Sequence, residues 1–445
     1  MAEDLLDLRD AVAKSTFEIS DGRIHRTIAS GEVTSRSSYP LESSTGDHLG
    51  DWWRCFLQGK TIVPEVERGI VRGLDLFCGP GGLASGFSQA CRELGYRFES
   101  QAAIDDDAGA VDVYATNHDT LRRITKSVRS LIDFQVRGIG ETAKFLYDPE
   151  IIDDVASELV GEVDVVLAGP PCQGHSNLNN HTRRTDRRNE LYLTVPAFAI
   201  ATGASMVIIE NVPAVIHDRQ QVVATTKALL EEAGYSVELG RSFADRLGWP
   251  QTRQRFFLLA RKDSAPLPIE QVTADLTTET RNIWWAIGDI EDEAIDGKLI
   301  QPLEYSEENL RRIDWLFDND AYNLPNSERP ECHQDGTTYN SVYGRLDKDK
   351  PAPTITTGFF TPGRGRYIHP TRRRTLNAHE AARIQGFPDS YNFHPHSGVT
   401  SSKAQLGKWI GDAVPMPLGY AAGLSVLGGK PWVPVVKGHS LSATA

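Results

Sequence analysis

The sequence predicts an α/β fold with a mostly parallel central sheet and a second, smaller and irregular domain. Between residue 71 and about residue 260, strand-like apolar runs alternate with helical stretches. One of these runs, Val163–Ala168, lacks the polar alternation of a half-exposed strand, so we expect both of its faces to be buried. After residue 261 the pattern weakens into acidic patches with proline and glycine, which is typical of an irregular domain.

The individual elements follow from composition and from helix-end signals. Strands are predicted at Val71–Phe77, Val163–Ala168, Met206–Ile209 and Phe256–Ala260. A helix is predicted over Asn377–Gln385, ending at Gly386. Residues 1–70 have little periodicity apart from a short helical pattern near the start and an aromatic patch at 52–56, so we expect an extension outside the main fold.

Composition excludes several classes of protein. None of the apolar runs in the 445 residues approaches eighteen residues, so no membrane span is expected. The acidic start lacks the features of a signal peptide, and the five scattered cysteines form no CxxC pair, so we expect an intracellular protein with free thiols and no structural metal. The net charge of −13 argues mildly against a protein that coats nucleic acid, although basic clusters at 181–188 and 364–374 could border one cleft.

Cys172 is a candidate nucleophile. It lies in the turn Pro170-Pro171-Cys172-Gln173, directly after a predicted buried strand. Ligands of parallel sheets bind beyond the carboxyl ends of the strands, where this thiol is expected. The alternative is a small buried hydrophobic residue, which is the usual role of a single free cysteine.

Two further turns carry groups suited to binding a ligand. Three glycines in Asp75–Gly82 follow a strand and precede a helix, although their spacing is not GxGxxG. The acidic run Asp105-Asp106-Asp107 follows the next strand, where a carboxylate can bind the two hydroxyls of a ribose. Each signal is weak alone, because a glycine turn is common and an acidic run is often only a solvated turn.

Charged residues at two other strand ends complete the candidate site. Glu210 ends a buried strand, where a carboxylate is costly to desolvate without a partner or a catalytic role. Arg253 and Arg255 precede another strand, and their alternation puts both guanidinium groups on one face. They could orient the carboxylate or bind a phosphate; structural ion pairs are the alternative.

Together these residues resemble the DNA cytosine-5 methyltransferase family. Six blocks match in the order of the family: DLFCGPGG at 75–82, AGPPCQGHS at 168–176, IIENVP at 208–213, QTRQR at 251–255, RTLNAHEAARIQGFP at 374–388 and IGDAVP at 410–415. A shorter match at 186–191 resembles the block after the nucleophile loop. The resemblance covers about residues 71–425 and implies a Rossmann-like fold that binds S-adenosylmethionine.

The resemblance also implies roles and domain limits. Cys172 would add to carbon 6 of cytosine, Glu210 would act at ring nitrogen 3, and Arg253 and Arg255 would orient the base. The domains would be an extension at 1–70, a catalytic domain at 71–261, a target-recognition domain at 262–400, a segment at 401–430 that completes the catalytic domain, and a tail at 431–445. The loop at 174–191 would close over a cytosine flipped out of the duplex.

The implied cofactor site draws on all of these blocks. The expected S-adenosylmethionine-binding residues are Phe77, Gly79, Pro80, Gly81, Gly82, Asp105, Asp106, Ser127, Pro170, Leu191, Asp412 and Val414. Ser127 stands where the family usually has an acid near the adenine, and Asp412 stands where it has Asn. Because Asp412 would repel the carboxylate of the cofactor unless a cation intervenes or the acid is protonated, weaker cofactor binding than in Asp412→Asn is expected.

The resemblance places target recognition at about 262–370. The glycine- and arginine-containing stretch at 353–366 has the composition of loops that enter a DNA groove. The resemblance therefore implies double-stranded DNA as the partner, and we expect a monomer to bind it, with a protein partner through residues 1–70 as a further hypothesis. Two alternatives stay open: an RNA cytosine methyltransferase, whose Cys-Phe-Thr block we do not find, and a catalytically impaired or partner-dependent paralogue.

Overall fold

A computed structural model describes residues 11–171, 191–291, 299, 303–331, 334, 341–396 and 399–433. The strands in this part of the chain are β1 Ala13–Ser20, β2 Arg23–Ser30, β3 Val33–Pro40, β4 Val63–Pro64, β5 Gly69–Leu76, β6 Tyr96–Asp105, β7 Arg122–Thr125, β8 Ile132–Asp133, β9 Val136–Arg137, β10 Lys144–Phe145, β11 Glu150–Ile151, β12 Val165–Ala168, β13 Met206–Asn211, β14 Ser236–Phe243, β15 Gln251–Thr252, β16 Gln254–Arg261 and β17 Ala352–Pro353. The α-helices are α1 His48–Leu57, α2 Gly82–Glu93, α3 Ala108–His118, α4 Asp154–Ser157, α5 Thr194–Thr202, α6 Val222–Glu232, α7 Ile269–Asp275, α8 Ile283–Ile287, α9 Glu307–Asp318, α10 Ala378–Gln385, α11 Lys403–Asp412 and α12 Met416–Leu427.

A seven-stranded sheet with the order β14-β16-β13-β12-β5-β6-β7 forms the centre of the fold. Strands β13, β12, β5, β6 and β7 pair in parallel, which confirms the mostly parallel α/β prediction. All four residues of β12 and the first four residues of β13 are buried, as the apolar runs predicted. Two hydrophobic clusters cover the two faces of this sheet.

Strand β16 runs against its neighbours. It pairs antiparallel with β13 on one side and with β14 on the other, so the parallel arrangement expected for Phe256–Ala260 is wrong for this strand. The connection between β14 and β16 is short and contains no crossover helix, and antiparallel neighbours are what such a connection allows. The reversal places the start of β16, rather than its end, at the carboxyl edge of the sheet.

The segment before residue 65 is part of the main fold, contrary to the expected outlying extension. Strands β1 to β4 form an antiparallel sheet, and Trp52 and Trp53 of α1 are buried in the same cluster as α2 and α12. The buried side chain of Arg26 pairs with Glu93 of α2 at 3.0 Å. Glu93 also accepts hydrogen bonds from the Trp52 indole at 3.0 Å and the Tyr420 hydroxyl at 2.7 Å. The short helical pattern near the start lies outside the described residues.

The last two helices pack against different parts of the fold: α12 packs on α2 and the central sheet, and α11 packs on α10. The stretch 403–427 is long and apolar enough to cross a membrane, but it is mostly buried inside the protein, as expected for a core helix. Gly86 allows α2 to approach α12 closely, since a Cβ there would overlap the backbone of Met416. The expected joining of the C-terminal segment to the sheet domain thus has a physical basis, although the domain limits stay a prediction.

The predicted helix at 377–385 is confirmed as α10. Asn377 caps it in a reciprocal capping box with Glu380, and Gly386 ends it with a φ of +93°. A third hydrophobic cluster packs α10 against α8, α11 and the stretch around Ile355 and Phe359. Through Ala110 and Val113, this cluster joins the irregular region to α3, the helix that follows β6.

Candidate active site

A glycine loop follows β5 at the carboxyl edge of the sheet. Phe77, Gly79 and Gly81 have φ values of +57°, +50° and +94°. A Cβ built on Gly79 meets nothing within 4 Å, so the loop leaves open space at this residue. At Gly82, a Cβ would overlap the carbonyl oxygen of Val414, so this close approach requires glycine.

Asp105 holds the loop from the end of β6. Its Oδ2 accepts the backbone N–H of Gly79 at 3.0 Å, and its Oδ1 accepts the N–H of Asp107 at 2.9 Å. Burial raises the pKa of Asp105, and these two backbone hydrogen bonds oppose the rise. Each carboxylate oxygen has a second lone pair, so the group can still accept hydrogen bonds from a ligand.

Glu210 and Arg255 form a buried ion pair at the same edge. Glu210 lies near the end of β13, and its Oε1 is 2.6 Å from Nε of Arg255 at the start of β16. Burial raises the pKa of Glu210, while the guanidinium groups of Arg255 and Arg253 lower it. The two arginines therefore lie close enough to influence one carboxyl group, as the sequence predicted.

The turn that leads to Cys172 lies between Glu210 and the glycine loop. A Cβ built on Gly169 would be 3.8 Å from the carbonyl oxygen of Phe77 and 3.9 Å from Oε2 of Glu210. The next residue, Pro170, accepts a hydrogen bond from the Asn211 side chain at 3.2 Å. Cys172 itself, the loop to residue 190 and the basic cluster at 181–188 lie outside the described residues.

Arg253 and Gln385 join three of the sequence blocks. Nη1 of Arg253 donates to the carbonyl of Ile355 at 2.9 Å. Gln385, the last residue of α10, accepts from the Gln251 side chain at 3.0 Å and donates to the carbonyl of Ile410. The QTRQR block, α10 and the IGDAVP block therefore meet around one buried glutamine.

Asp412 has cations for neighbours. It ends α11, one turn after Lys408, whose Nζ binds Oδ2 of Asp107 at 2.9 Å. Burial raises the pKa of Asp412, and the charges of Lys408 and Arg253 oppose the rise. Two positive charges, those of Lys408 and Arg253, therefore act on Asp412.

The remaining predicted residues are less closely joined to this site. Asp106 is exposed, and Ser127 is exposed at the start of a short 3₁₀ turn. Leu191, the first residue that the structure describes after 171, is half-buried, and its carbonyl accepts a hydrogen bond from the Thr194 hydroxyl at 2.7 Å. The next residue, Tyr192, was not predicted to lie near this site: it is buried, and burial and then the charge of Glu210 raise its pKa. Only the fold reveals it, because no motif marks this residue.

The clustered arginines of the irregular region are mostly engaged within the protein. Arg373 pairs with Asp314 at 2.9 Å and with Asp318 at 2.6 Å. Arg374 pairs with the buried Glu380 at 2.6 Å, and Arg372 lies 3.1 Å from Glu291. Arg364 is exposed, and its side chain makes no hydrogen bond or ion pair to any residue that the structure describes.

This strand order, with one reversed strand and a glycine loop and carboxylate at the carboxyl edge, defines a Rossmann-like methyltransferase. The sequence model of the C-5 cytosine-specific DNA methylases matches residues 71–427, and the chain belongs to this family. It is a DNA (cytosine-5-)-methyltransferase that uses S-adenosylmethionine as methyl donor.

Known proteins of this family resemble most of the chain. The type II methyltransferase M1.BsuMI of Bacillus subtilis is 38% identical over 412 residues, covering 91% of this chain and 92% of that protein. The type II methylase M.HgiDII of Herpetosiphon aurantiacus is 30% identical, covering 79% and 94%. Among solved structures, a protein from an E. coli prophage, assigned as a DNA modification methyltransferase, has a TM-score of 0.53 at 20% identity and covers 80% of this chain and 98% of its own.

The residues present fit the cofactor. The glycine loop leaves the space at Gly79 that a side chain would fill, and Asp105 offers carboxylate oxygens beside it. Lys408 binds Asp107, two residues after Asp105, and its positive charge also acts on Asp412. These residues fit a cofactor held at the carboxyl edge of β5 and β6.

Proposed function

We propose that the protein methylates carbon 5 of cytosine within a specific sequence of double-stranded DNA, through a covalent adduct between Cys172 and a flipped-out base. The observation that carries this proposal is the convergence of Gly169, Phe77 and Glu210. The turn that precedes Cys172 lies between the cofactor loop and a buried carboxyl group. A thiol there would reach a base that also contacts Glu210.

The residues divide the chemistry between them. The Cys172 thiolate adds to carbon 6 of cytosine, which leaves carbon 5 nucleophilic. S-adenosylmethionine, when bound, would supply an electrophilic methyl group: the bond from carbon 5 to the methyl forms as the sulfur–methyl bond breaks, and S-adenosylhomocysteine is released. Loss of the proton from carbon 5 then allows the thiolate to leave, so the enzyme returns unchanged. The thiol needs activation, because only a few per cent of an ordinary cysteine is ionised at pH 7.

Glu210 would act at ring nitrogen 3. A protonated carboxyl can donate to this nitrogen as negative charge develops on the ring. Burial raises the pKa of Glu210, which favours the protonated form, and Arg255 keeps the side chain in place at 2.6 Å. We expect Glu210→Ala to lower the rate by about 10²- to 10⁴-fold.

The cofactor would be held by the predicted set. Phe77, Gly79, Pro80, Gly81 and Gly82 form the loop, and Asp105 would bind the ribose. The family resemblance extends the site to Asp106, Ser127, Pro170, Leu191, Asp412 and Val414. The similar type II methylases suggest that the protein is the modification enzyme of a restriction-modification system.

A trapping experiment tests the proposal. Purified protein would be incubated with labelled S-adenosylmethionine and with mixed-sequence DNA, or in parallel RNA, that carries 5-fluorocytosine. After methyl transfer, carbon 5 of this base has fluorine in place of the hydrogen that a base would remove as a proton, so the thiolate cannot be eliminated and the adduct persists. Cys172→Ala and Cys332→Ala would be compared. A denaturant-stable labelled complex with the unmodified protein and Cys332→Ala, but not with Cys172→Ala, is expected.

Other outcomes have definite meanings. An equally stable complex with Cys172→Ala would contradict the assigned nucleophile. A complex formed only with RNA would support the RNA alternative. Cofactor binding without a complex on any nucleic acid would favour an impaired or partner-dependent paralogue.

A further inference from the structure

A cluster of three polar side chains contacts the glycine loop at Pro80 and Gly81. The Tyr391 hydroxyl donates to the carbonyl of Pro80 and lies 3.2 Å from Nε2 of His118. The Ser85 hydroxyl donates to the carbonyl of Gly81 at 2.8 Å and lies 3.3 Å from the same His118 nitrogen. Three side chains therefore hold two consecutive peptide groups of the loop.

Gly81 shows how closely the loop is packed on this cluster. A Cβ on Gly81 would lie 2.7 Å from Nε2 of His118 and 2.7 Å from the Tyr391 hydroxyl oxygen. Such distances are too short for any side chain, and the φ of +94° also favours glycine. Glycine is therefore needed at this position for the loop to pack against His118 and Tyr391.

The proton positions follow from the donors present. Both hydroxyl protons point to carbonyl oxygens, so the two hydroxyl oxygens are available to accept from His118. Nε2 must then carry the ring proton. Burial lowers the pKa of His118 to about 4, so the ring is neutral at pH 7 and the arrangement does not change across the physiological range.

Tyr391 comes from the recognition side of the molecule. It follows α10, and its ring lies 4.6 Å from that of Phe387 and 5.2 Å from that of Phe393. The neighbouring Asn392 exchanges two hydrogen bonds with the Asn117 side chain of α3, at 2.9 and 2.8 Å. These contacts fix the hydroxyl relative to the central sheet.

We propose that Tyr391 is a positioning residue for the cofactor, through which the segment after α10 sets the conformation of the Pro80–Gly81 peptide and thereby the affinity for S-adenosylmethionine. This inference rests on the proposed location of the cofactor at the glycine loop. Neither Tyr391 nor His118 belongs to the expected cofactor-binding residues. Their influence passes through the backbone carbonyls that they hold.

The test compares two tyrosine-to-phenylalanine variants in the full-length protein. Tyr391→Phe removes the hydroxyl group that donates to the Pro80 carbonyl. Tyr96→Phe is the matched control, because the buried Tyr96 hydroxyl also donates to a backbone carbonyl, that of Trp432 at 3.1 Å, away from the glycine loop. Calorimetry would measure S-adenosylmethionine binding without DNA, and thermal unfolding would measure stability.

We expect Tyr391→Phe to weaken cofactor binding about tenfold, because a buried carbonyl loses its donor and the loop loses an anchor. Tyr96→Phe should leave binding within about twofold while lowering the unfolding midpoint similarly. Ser85→Ala removes the α2 hydroxyl that donates to the Gly81 carbonyl, so it should also weaken binding. This variant covers the case in which Tyr391→Phe does not fold.

Unchanged cofactor affinity in both Tyr391→Phe and Ser85→Ala would overturn the inference and leave these residues a purely structural role. Equal weakening by Tyr96→Phe would overturn it too. Because no methyl transfer is measured, failure of the cytosine chemistry does not affect the result. Absence of binding by the unmodified protein would instead contradict the proposed cofactor site.

Discussion

Nε of Arg255 lies 2.6 Å from Oε1 of Glu210, across the boundary between β16 and β13. The contact exists because β16 is antiparallel to β13: Glu210 pairs with Phe257, so the first residues of β16 reach the end of β13. A parallel strand would have carried the QTRQR block to the opposite edge. Strand direction therefore brings the acid and the arginine together.

This pair predicts a pH dependence. Arg255→Gln should raise the pKa of Glu210 further, because it removes the larger of two cationic influences that oppose burial. If protonated Glu210 donates to the base, activity is lost as pH rises through this pKa, so the basic limb of kcat/KM should move to higher pH. Arg253→Gln should move it less. Profiles normalised to their maxima would check this, and a shift to lower pH would contradict it.

The second prediction concerns Asp412 and its neighbouring cation. Asp412→Asn should tighten cofactor binding by only about threefold, since partly exposed charges interact weakly and Lys408 already opposes the acid. In a Lys408→Ala background the same change should have a larger effect. Calorimetry on the four proteins of this cycle gives the coupling. Equal effects in both backgrounds would show that Lys408 does not neutralise Asp412.

The third prediction separates two arginines of the irregular region. The backbone of Arg364 lies close to Gly358, where a Cβ would be 2.7 Å from the Arg364 Cβ. Gly358 is three residues after Ile355, whose carbonyl accepts a hydrogen bond from Arg253 of the candidate site. We expect Arg364→Ala to weaken DNA binding and lower the salt slope by about one. Arg373→Ala should affect DNA binding less, because Asp314 and Asp318 engage this side chain.

Fluorescence anisotropy over a range of salt concentrations would measure both variants. Weaker binding to DNA of every sequence would indicate that Arg364 contacts phosphate, whereas weaker binding only to the sequence that the enzyme recognises would indicate a contact with a base. Equal effects of Arg364→Ala and Arg373→Ala would contradict the distinction.

The fourth prediction concerns the aromatic core of the N-terminal segment. Trp52 is fully buried and its indole donates to Glu93, so Trp52→Ala should cost about 3–5 kcal/mol of unfolding free energy. Ile19→Ala, at a side chain that is 42% exposed, should cost much less. Urea unfolding of both variants gives the comparison. Similar small losses would mean that this segment contributes little to the fold.

Periodicity and helix-end signals predicted much of the fold. The buried runs identified four strands of the sheet, and Asn377 and Gly386 marked the ends of α10. Strand direction was not predictable, because an apolar run has no direction. The N-terminal sheet was missed because the buried face of β2 carries Arg26 between Ile24 and Ile28, and ends with Ser30, which hides the alternation.

The site was predictable only where motifs carry it. Glu210, Arg255, Asp105 and the glycine loop meet at one edge, as their strand-end positions indicated. Tyr391 supports the loop from more than three hundred residues away in the chain, which local sequence cannot indicate. Cys172 stays a prediction from the family resemblance and from the turn that precedes it.

The packing of the β1–β4 sheet and α1 against α2 has a practical consequence for protein production. The family match begins at residue 71, but an expression fragment cut there would remove Trp52, Trp53 and Arg26. It would leave Glu93 as an uncompensated charge beside an uncovered apolar wall. Such a fragment should be recovered as insoluble material, so a failed activity assay on it would reveal nothing about the enzyme.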